Sequence, residues 1–157
     1  MRLLVLSDSH GHNERLSLAV EQAKPDVILH LGDLIDDARN LQKEYPNIEF
    51  YMVKGNCDEN SAGDKEQLLT LDGVKIFMAH GHIYKVKSSL IAYAHRAREV
   101  NADIALYGHT HRASVQQAHG IWFINPGQME RNDIIRASYG IVDVDGGNIS
   151  IKLKELA

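Results

Sequence analysis

The sequence predicts an α/β protein of two packed β-sheets with helices outside. Three observations carry this. Apolar and amphipathic runs alternate in a βαβαβ order up to about Val53. Three later segments read as hairpins, turning at Asp72-Gly73, at Ala118-His119-Gly120 and at Asp145-Gly146-Gly147. The 157 residues hold no repeat, linker or low-complexity segment. One domain spanning 1–157 is expected from that length.

The elements are taken in chain order. Leu3 to Leu6 is a buried strand. Asn13 to Ala23 is a helix, because Leu16, Ala19, Val20 and Ala23 fall on one face. After the breaker Pro25, Asp26 to Leu31 is the second strand. Ile35 to Glu44 is a short helix stopped by Pro46, and Ile48 to Val53 is the third strand. Gln67 to His80 forms the first hairpin. Val86, Leu90, Tyr93, Ala94, Ala97 and Val100 step by three or four and predict a helix from Val86 onward, with Lys85, Lys87, Arg96 and Arg98 on its wet face. Asp103 to Tyr107 is another buried strand. Val115 to Ile124, and Tyr139 to Val144 with Asn148 to Leu153, form the other hairpins. In the last strand Ile149, Ile151 and Leu153 alternate with Ser150, Lys152 and Lys154, so one face is buried and one is wet.

Composition narrows the function. No apolar run is long enough to cross a bilayer, so no membrane partner is expected. The opening MRLLVLSDSH is read as a strand, being too short and too soon acidic for a leader. The one cysteine, Cys57, cannot form an internal disulfide, and a reducing, cytoplasmic location is expected. Net charge is −4 with no basic stripe, which argues against a long nucleic-acid partner. Nine histidines direct attention to metal or acid–base chemistry.

The main signal is the polar cluster that ends each apolar run. Ser7-Asp8-Ser9-His10 ends the first, Gly32-Asp33 the second and Gly55-Asn56-Cys57-Asp58 the third. His80-Gly81-His82 and Gly108-His109-Thr110-His111 end two later ones. Taken singly, the first three have ordinary explanations, Asp8, Ser9 or Asp33 as a helix cap and Gly-Asn-Cys-Asp as a turn, whereas a purely structural reading of the paired imidazoles in Gly-His-Thr-His is strained. Taken together they place metal-type donors at the carboxyl ends of strands, where α/β sheets bind ligands. His30 falls inside a buried strand and reads as a core or supporting histidine. His12, His95, His119 and Arg112 read as surface residues.

The constellation resembles the calcineurin-like metallophosphoesterase superfamily. DSH at Asp8, GD at Gly32, GNCD at Gly55, HGH at His80 and GHTH at Gly108 match its five blocks in order. INPG, Ile124 to Gly127, and the GNCD variant resemble its small YfcE-like phosphodiesterase group, which often continues NPGS where this chain has Gln128. The resemblance implies a four-layer α/β/β/α sandwich of two mixed sheets flanked by helices. It also implies two divalent transition-metal ions. Asp8, His10 and His111 would hold one; Asn56, His80 and His109 the other; Asp33 would bridge them. The donor mixture favours Mn, Fe, Zn, Ni or Co over Ca or Mg, with Mn placed first. Two such ions about 3.5–4 Å apart can clamp the attacking and leaving oxygens of an in-line displacement, with a bridging hydroxide as nucleophile.

The expected activity is hydrolysis of small phosphodiesters, with Asn56 and Asp33 as catalytic positions. Monoester hydrolysis, a nuclease, or a non-catalytic protein-binding scaffold of the Vps29 type are the alternatives. Cys57 stands where many relatives carry an acid histidine, and it is expected to touch the substrate without ligating metal or acting as nucleophile. His82 is not expected to ligate metal; it is read either as a pocket residue that meets the substrate or as a surface-facing turn residue. Substrate choice is expected to reside in loops such as Asn60 to Lys65 and Gln128 to Ile135. The oligomeric state stays open, with a homodimer through an exposed sheet edge as one option.

Overall fold

The computed structural model describes residues 1–130 and 134–156. Residues 131–133 of the expected substrate loop, and residue 157, lie outside the described residues. The elements are β1 Arg2–Leu6, α1 Asn13–Ala23, β2 Val27–His30, α2 Ile35–Glu44, β3 Glu49–Met52, β4 Glu66–Leu71, β5 Val74–Ala79, α3 Ile91–Glu99, β6 Ile104–Leu106, β7 Ser114–Ala118, β8 Ile121–Asn125, β9 Ser138–Asp145 and β10 Asn148–Glu155. Short 3-10 turns cover Asn56–Asp58 and His82–Tyr84. Among the described residues no helix is long and apolar enough to cross a membrane.

The strands form two five-stranded mixed sheets, ordered β10-β9-β1-β2-β3 and β4-β5-β6-β8-β7. In the first, β1, β2 and β3 run parallel, as the βαβαβ pattern requires. The β9–β10 hairpin then joins antiparallel to β1. In the second, β5, β6 and β8 run parallel, while β4 and β7 return as antiparallel hairpin partners.

Side-chain alternation turns this topology into layers. Leu3, Val5, Val27, Leu29, Val142 and Val144 face inward from the first sheet. They meet Val74, Ile76, Met78, Ile104, Leu106 and Ile124 of the second, forming the central core. The alternate residues Leu4, Leu6, Ile28 and Ile141 face outward and are covered by Leu16, Ala19, Val20 and Ala23 of α1 and Leu41 of α2. On the far side Phe77, Ala79, Ala105 and Phe123 are covered by Tyr93 and Ala97 of α3. The expected α/β/β/α sandwich is therefore the observed one.

The third helix corrects the sequence reading. It begins at Ile91, not Val86. Val86 is buried against Phe77 and Tyr93, but it arrives there from a turn. Lys85 just before it has left-handed backbone (φ 54°), which a helix does not contain. Lys85 and Lys87 consequently precede the helix, and only Arg96 and Arg98 belong to it.

Candidate metal centre

The five polar strand ends come from both sheets and meet on one rim of the sandwich. Asp8 and His10 follow β1, Asp33 follows β2, and Asn56 follows β3; His80 follows β5, and His109 and His111 follow β6. Backbone bonds stitch the ends together. Asp8 N donates to the Gly32 carbonyl at 3.0 Å, His10 N to that of Asp33 at 3.1 Å, and Gly108 N to that of His80 at 2.9 Å. Across the seam between sheets, His109 N donates to Asp8 Oδ2 at 3.1 Å.

The rim is conformationally costly. Asp8, His10, Asp33, His109 and His111 all hold positive φ, from 44° to 66°, a region that non-glycine residues enter at a cost of about 1–2 kcal/mol each. Glycine is needed where strand ends touch. A Cβ on Gly55 would collide with Asp33 Oδ1, and one on Gly32 with the backbone of Gly55.

Two overlapping donor triads result. Asp8, His10 and His111 form one, and Asp8, Asp33 and His80 the other, with all donor atoms of a triad within 4.8 Å of one another. His111 Nε2 lies 3.1 Å from Asp8 Oδ1, and His80 Nε2 lies 3.3 Å from Asp33 Oδ2. His10 Nε2 lies 3.9 Å from Asp8 Oδ1 and 4.0 Å from Asp33 Oδ2. Asp8 and His80 are fully buried and Asp33 is 2% exposed. Nevertheless Asp8 Oδ1, His10 Nε2 and His80 Nε2 have no hydrogen-bond partner. Buried polar atoms are nearly always paired, and two buried carboxylates repel each other. Unpaired lone pairs of carboxylate and imidazole aimed at one spot fit a divalent cation.

Protonation follows from the same crowding. Burial would raise the Asp33 carboxyl, but the adjacent His80 imidazole and the Cys57 N–H outweigh it and hold it well below the usual range. Asp8 is likewise held down against its burial, by His111, His80 and the Ser7 hydroxyl. Desolvation would lower His80, but the adjacent Asp33 and Asp8 carboxylates and the Leu31 carbonyl outweigh it and raise it. His109 is pushed down to about 4, first by desolvation and then by His80. Its ring centroid lies 5.1 Å from that of His80, outside the two triads.

The remaining candidates sit nearer the solvent. Asn56 is exposed, its amide 3.7 Å from the Cys57 sulfur. Cys57 is exposed and gives its backbone N–H to Asp33 Oδ1 at 2.9 Å. Partial burial and then the Asp33 charge push its thiol up to about 11, so it is a neutral thiol at physiological pH. His82 is half-buried, 5.5 Å from His80 between ring centroids. It lines a cavity of about 320 Å³ together with Lys54, Asn56, Glu59 and Lys65. His30 is fully buried. His95 and His119 are exposed, as is Arg112, while His12 is half-buried beside Glu14.

Two supporting groups were not assigned from the sequence. Asp58 is 3% exposed, and its carboxylate accepts from Asp33 N at 3.0 Å, Gly55 N at 2.8 Å and Ile35 N at 2.9 Å. It therefore satisfies the first N–H of α2, the capping role considered for Asp33. That leaves the Asp33 carboxylate to face the rim. The second group is a buried relay. His30 Nδ1 accepts from Gly32 N at 3.1 Å, which puts its proton on Nε2, 3.1 Å from Ser9 Oγ. Ser9 in turn donates to Asp37 at 2.7 Å, and Gly11 N donates to the same carboxylate oxygen. The fourth position of the Gly-Asn-Cys-Asp block was the available signal for Asp58. Asp37, inside a helix, offered none.

A ten-stranded double sheet whose rim gathers Asp and His donors from both halves defines a metallophosphoesterase-type fold. The chain matches the calcineurin-like phosphoesterase superfamily domain over residues 1–147 and belongs to that family. It is 34% identical over 161 residues to the probable metallophosphoesterase YsnB of Bacillus subtilis, covering 100% of this chain and 92% of that one. It is 25% identical over 147 residues to phosphodiesterase MJ0936 of Methanocaldococcus jannaschii, covering 82% and 84%. Among solved structures, a predicted phosphoesterase of Streptococcus pneumoniae superposes with TM-score 0.82 at 28% identity, covering 98% and 88% of the two chains. Vps29 of Entamoeba histolytica, complexed with zinc, shares the fold at TM-score 0.74 and 21% identity, each chain fully covered.

Two outcomes are expected. Asp58→Ala strands three buried N–H groups and should destabilise the protein by roughly 2–4 kcal/mol; an unchanged urea midpoint would show that Asp58 anchors nothing. The second concerns acid. Burial pushes His30 down to about 4 from 6.5. Between those values the unfolded chain binds a proton that the folded chain does not, so stability falls as pH drops from 6.5 to 4. Calorimetry of metal-free protein should show this fall, shallower in His30→Gln; equal slopes would assign it to other groups.

Proposed function

We propose that this chain is a dinuclear metal-dependent phosphodiesterase acting on small phosphodiesters. The observation that carries the reading is the pair of donor triads sharing Asp8, with buried donor atoms left unpaired on a rim built from both sheets. Asp8, His10 and His111 would hold one ion in this reading, Asn56, His80 and His109 would hold the other, and Asp33 would serve both. Mn is placed first among the transition metals that suit such donors. When bound, the ions would act as Lewis acids on the phosphoryl group and lower the pKa of a water nucleophile.

The chain's own residues do the rest. Buried Asp8 and Asp33 supply the negative charge that retains the ions and are kept ionised by their imidazole neighbours. The exposed Asn56 amide can donate to a phosphoryl oxygen and orient the ester. Lys54 and Lys65 border the adjoining cavity, where an anionic diester gains from nearby ammonium groups. The net charge of −4, with no basic stripe in the sequence, favours small esters over polymers. The lone thiol suits a reducing, cytoplasmic setting.

Cys57 sets a particular expectation. A neutral thiol pushed up to about 11 is a poor proton donor at neutral pH. Leaving groups that depart as stable anions should therefore be preferred.

Metal analysis of purified protein, followed by hydrolysis of bis-p-nitrophenyl phosphate with and without added Mn, tests the reading. Activity that requires metal and falls at least about 100-fold in Asp33→Asn is expected. Protein inert with every divalent metal would instead favour a non-catalytic binding scaffold. A plot of log rate against leaving-group pKa should be steep for the wild type and shallower for Cys57→His. A flat wild-type plot would refute the role given to Cys57.

A further inference from the structure

Two cavities meet at Ile83. The first is the one of about 320 Å³ beside the rim, which His82 also lines. The second, of about 700 Å³, adjoins it. Ile83, Tyr84, Ile91 and Ala92 give the second an apolar lining, edged by Lys85 and His95. Its two isoleucines are not core residues: Ile83 is 53% exposed and Ile91 78%. A single exposed apolar side chain is ordinary. Two that flank one cavity next to a candidate reaction site mark a place for an apolar ligand.

One stretch of backbone serves both cavities. His80 Nε2 faces Asp33 at the rim. After Gly81, His82 lines the first cavity, Ile83 lines both, and Tyr84 lines the second. The turn is held by Tyr84 N donating to the Gly81 carbonyl at 3.0 Å and Lys85 N to that of His82 at 3.2 Å. The Tyr84 ring packs against Tyr93 and Phe77, with centroids 5.3 and 6.4 Å apart. Its hydroxyl donates to Glu66, which also accepts from Arg96 Nη2 at 3.2 Å. Ile91 and Ala92 open α3 and are fixed by that helix. The lining is thus formed before a ligand arrives, which lowers the ordering cost of binding.

Charge indicates what spans the two cavities. The first carries two ammonium groups, Lys54 and Lys65, against the one carboxylate of Glu59. Among the described residues, none that lines the second is acidic. A molecule with an anionic phosphate at one end and an apolar group at the other fits this order. We propose that the second cavity is a subsite for one ester arm of the substrate, and that this arm is apolar. The proposal deepens the phosphodiesterase reading above and rests on it for the identity of the ligand.

Methyl and hexyl p-nitrophenyl phosphate test it, because they share a leaving group and differ only in the retained arm. The hexyl ester should show a KM about 10- to 50-fold lower in the wild type, since each buried CH2 is worth about fourfold in affinity, with kcat little changed. In the double variant Ile83→Gln, Ile91→Gln, changed only at exposed positions, the ratio should shrink to within about threefold. Equal KM values in the wild type, or an undiminished ratio in the variant, overturn the proposal. Methyl NMR of the wild type, kept free of paramagnetic ions, needs neither turnover nor a variant. Hexyl phosphate should shift the Ile83 and Ile91 methyl resonances, and methyl phosphate or hexanol at the same concentration should shift them far less. An equal response to hexanol overturns the link to phosphate. Resonances that ignore hexyl phosphate but move as the protein is concentrated overturn the subsite in favour of a second copy of the chain. Protein inert toward both esters that still shows the hexyl phosphate shifts loses the activity reading and keeps the site; active protein without them loses the site alone.

Discussion

Everything at the rim depends on keeping two carboxylates, Asp8 and Asp33, buried within a few ångströms of each other. In an apolar interior that pair would take up protons or push apart. Here both stay ionised because imidazoles surround them and backbone N–H groups point at them. The arrangement concentrates negative charge and unpaired lone pairs in one place. Such a place is expensive when empty of cations and favourable when one is present.

The sandwich exists, in that sense, to deliver strand ends. Parallel β1, β2 and β3 put three carboxyl ends on one edge, and parallel β5 and β6 put two more beside them. The central core between the sheets fixes the distance between the two sets. Asp58 and the His30–Ser9–Asp37 relay then hold the loops in their left-handed turns. Stability built in the layers offsets the strain held at the rim.

Much of this was legible in the sequence. The bounds of α1 and α2 follow from clean helical spacing and from Pro25 and Pro46 as stops. The five strand-end blocks were visible because glycine and donor residues recur after each apolar run. The start of α3 was misread because Val86 lies in helical register while reaching the core from a turn. Asp58 and Asp37 could not be read, because their roles come from hydrogen bonds made across the chain, not from neighbours in sequence.

The Gly-Asn-Cys-Asp turn separates two jobs that often fall on one residue. At Cys57 the scaffold uses only the main chain: the N–H braces Asp33 while the side chain stays exposed. Any non-proline residue can supply that N–H. The identity of the side chain at 57 is thereby uncoupled from the architecture beneath it. On the proposed reading, substitution at this one position would retune how the site treats departing groups while the framework of Asp and His donors is inherited unchanged.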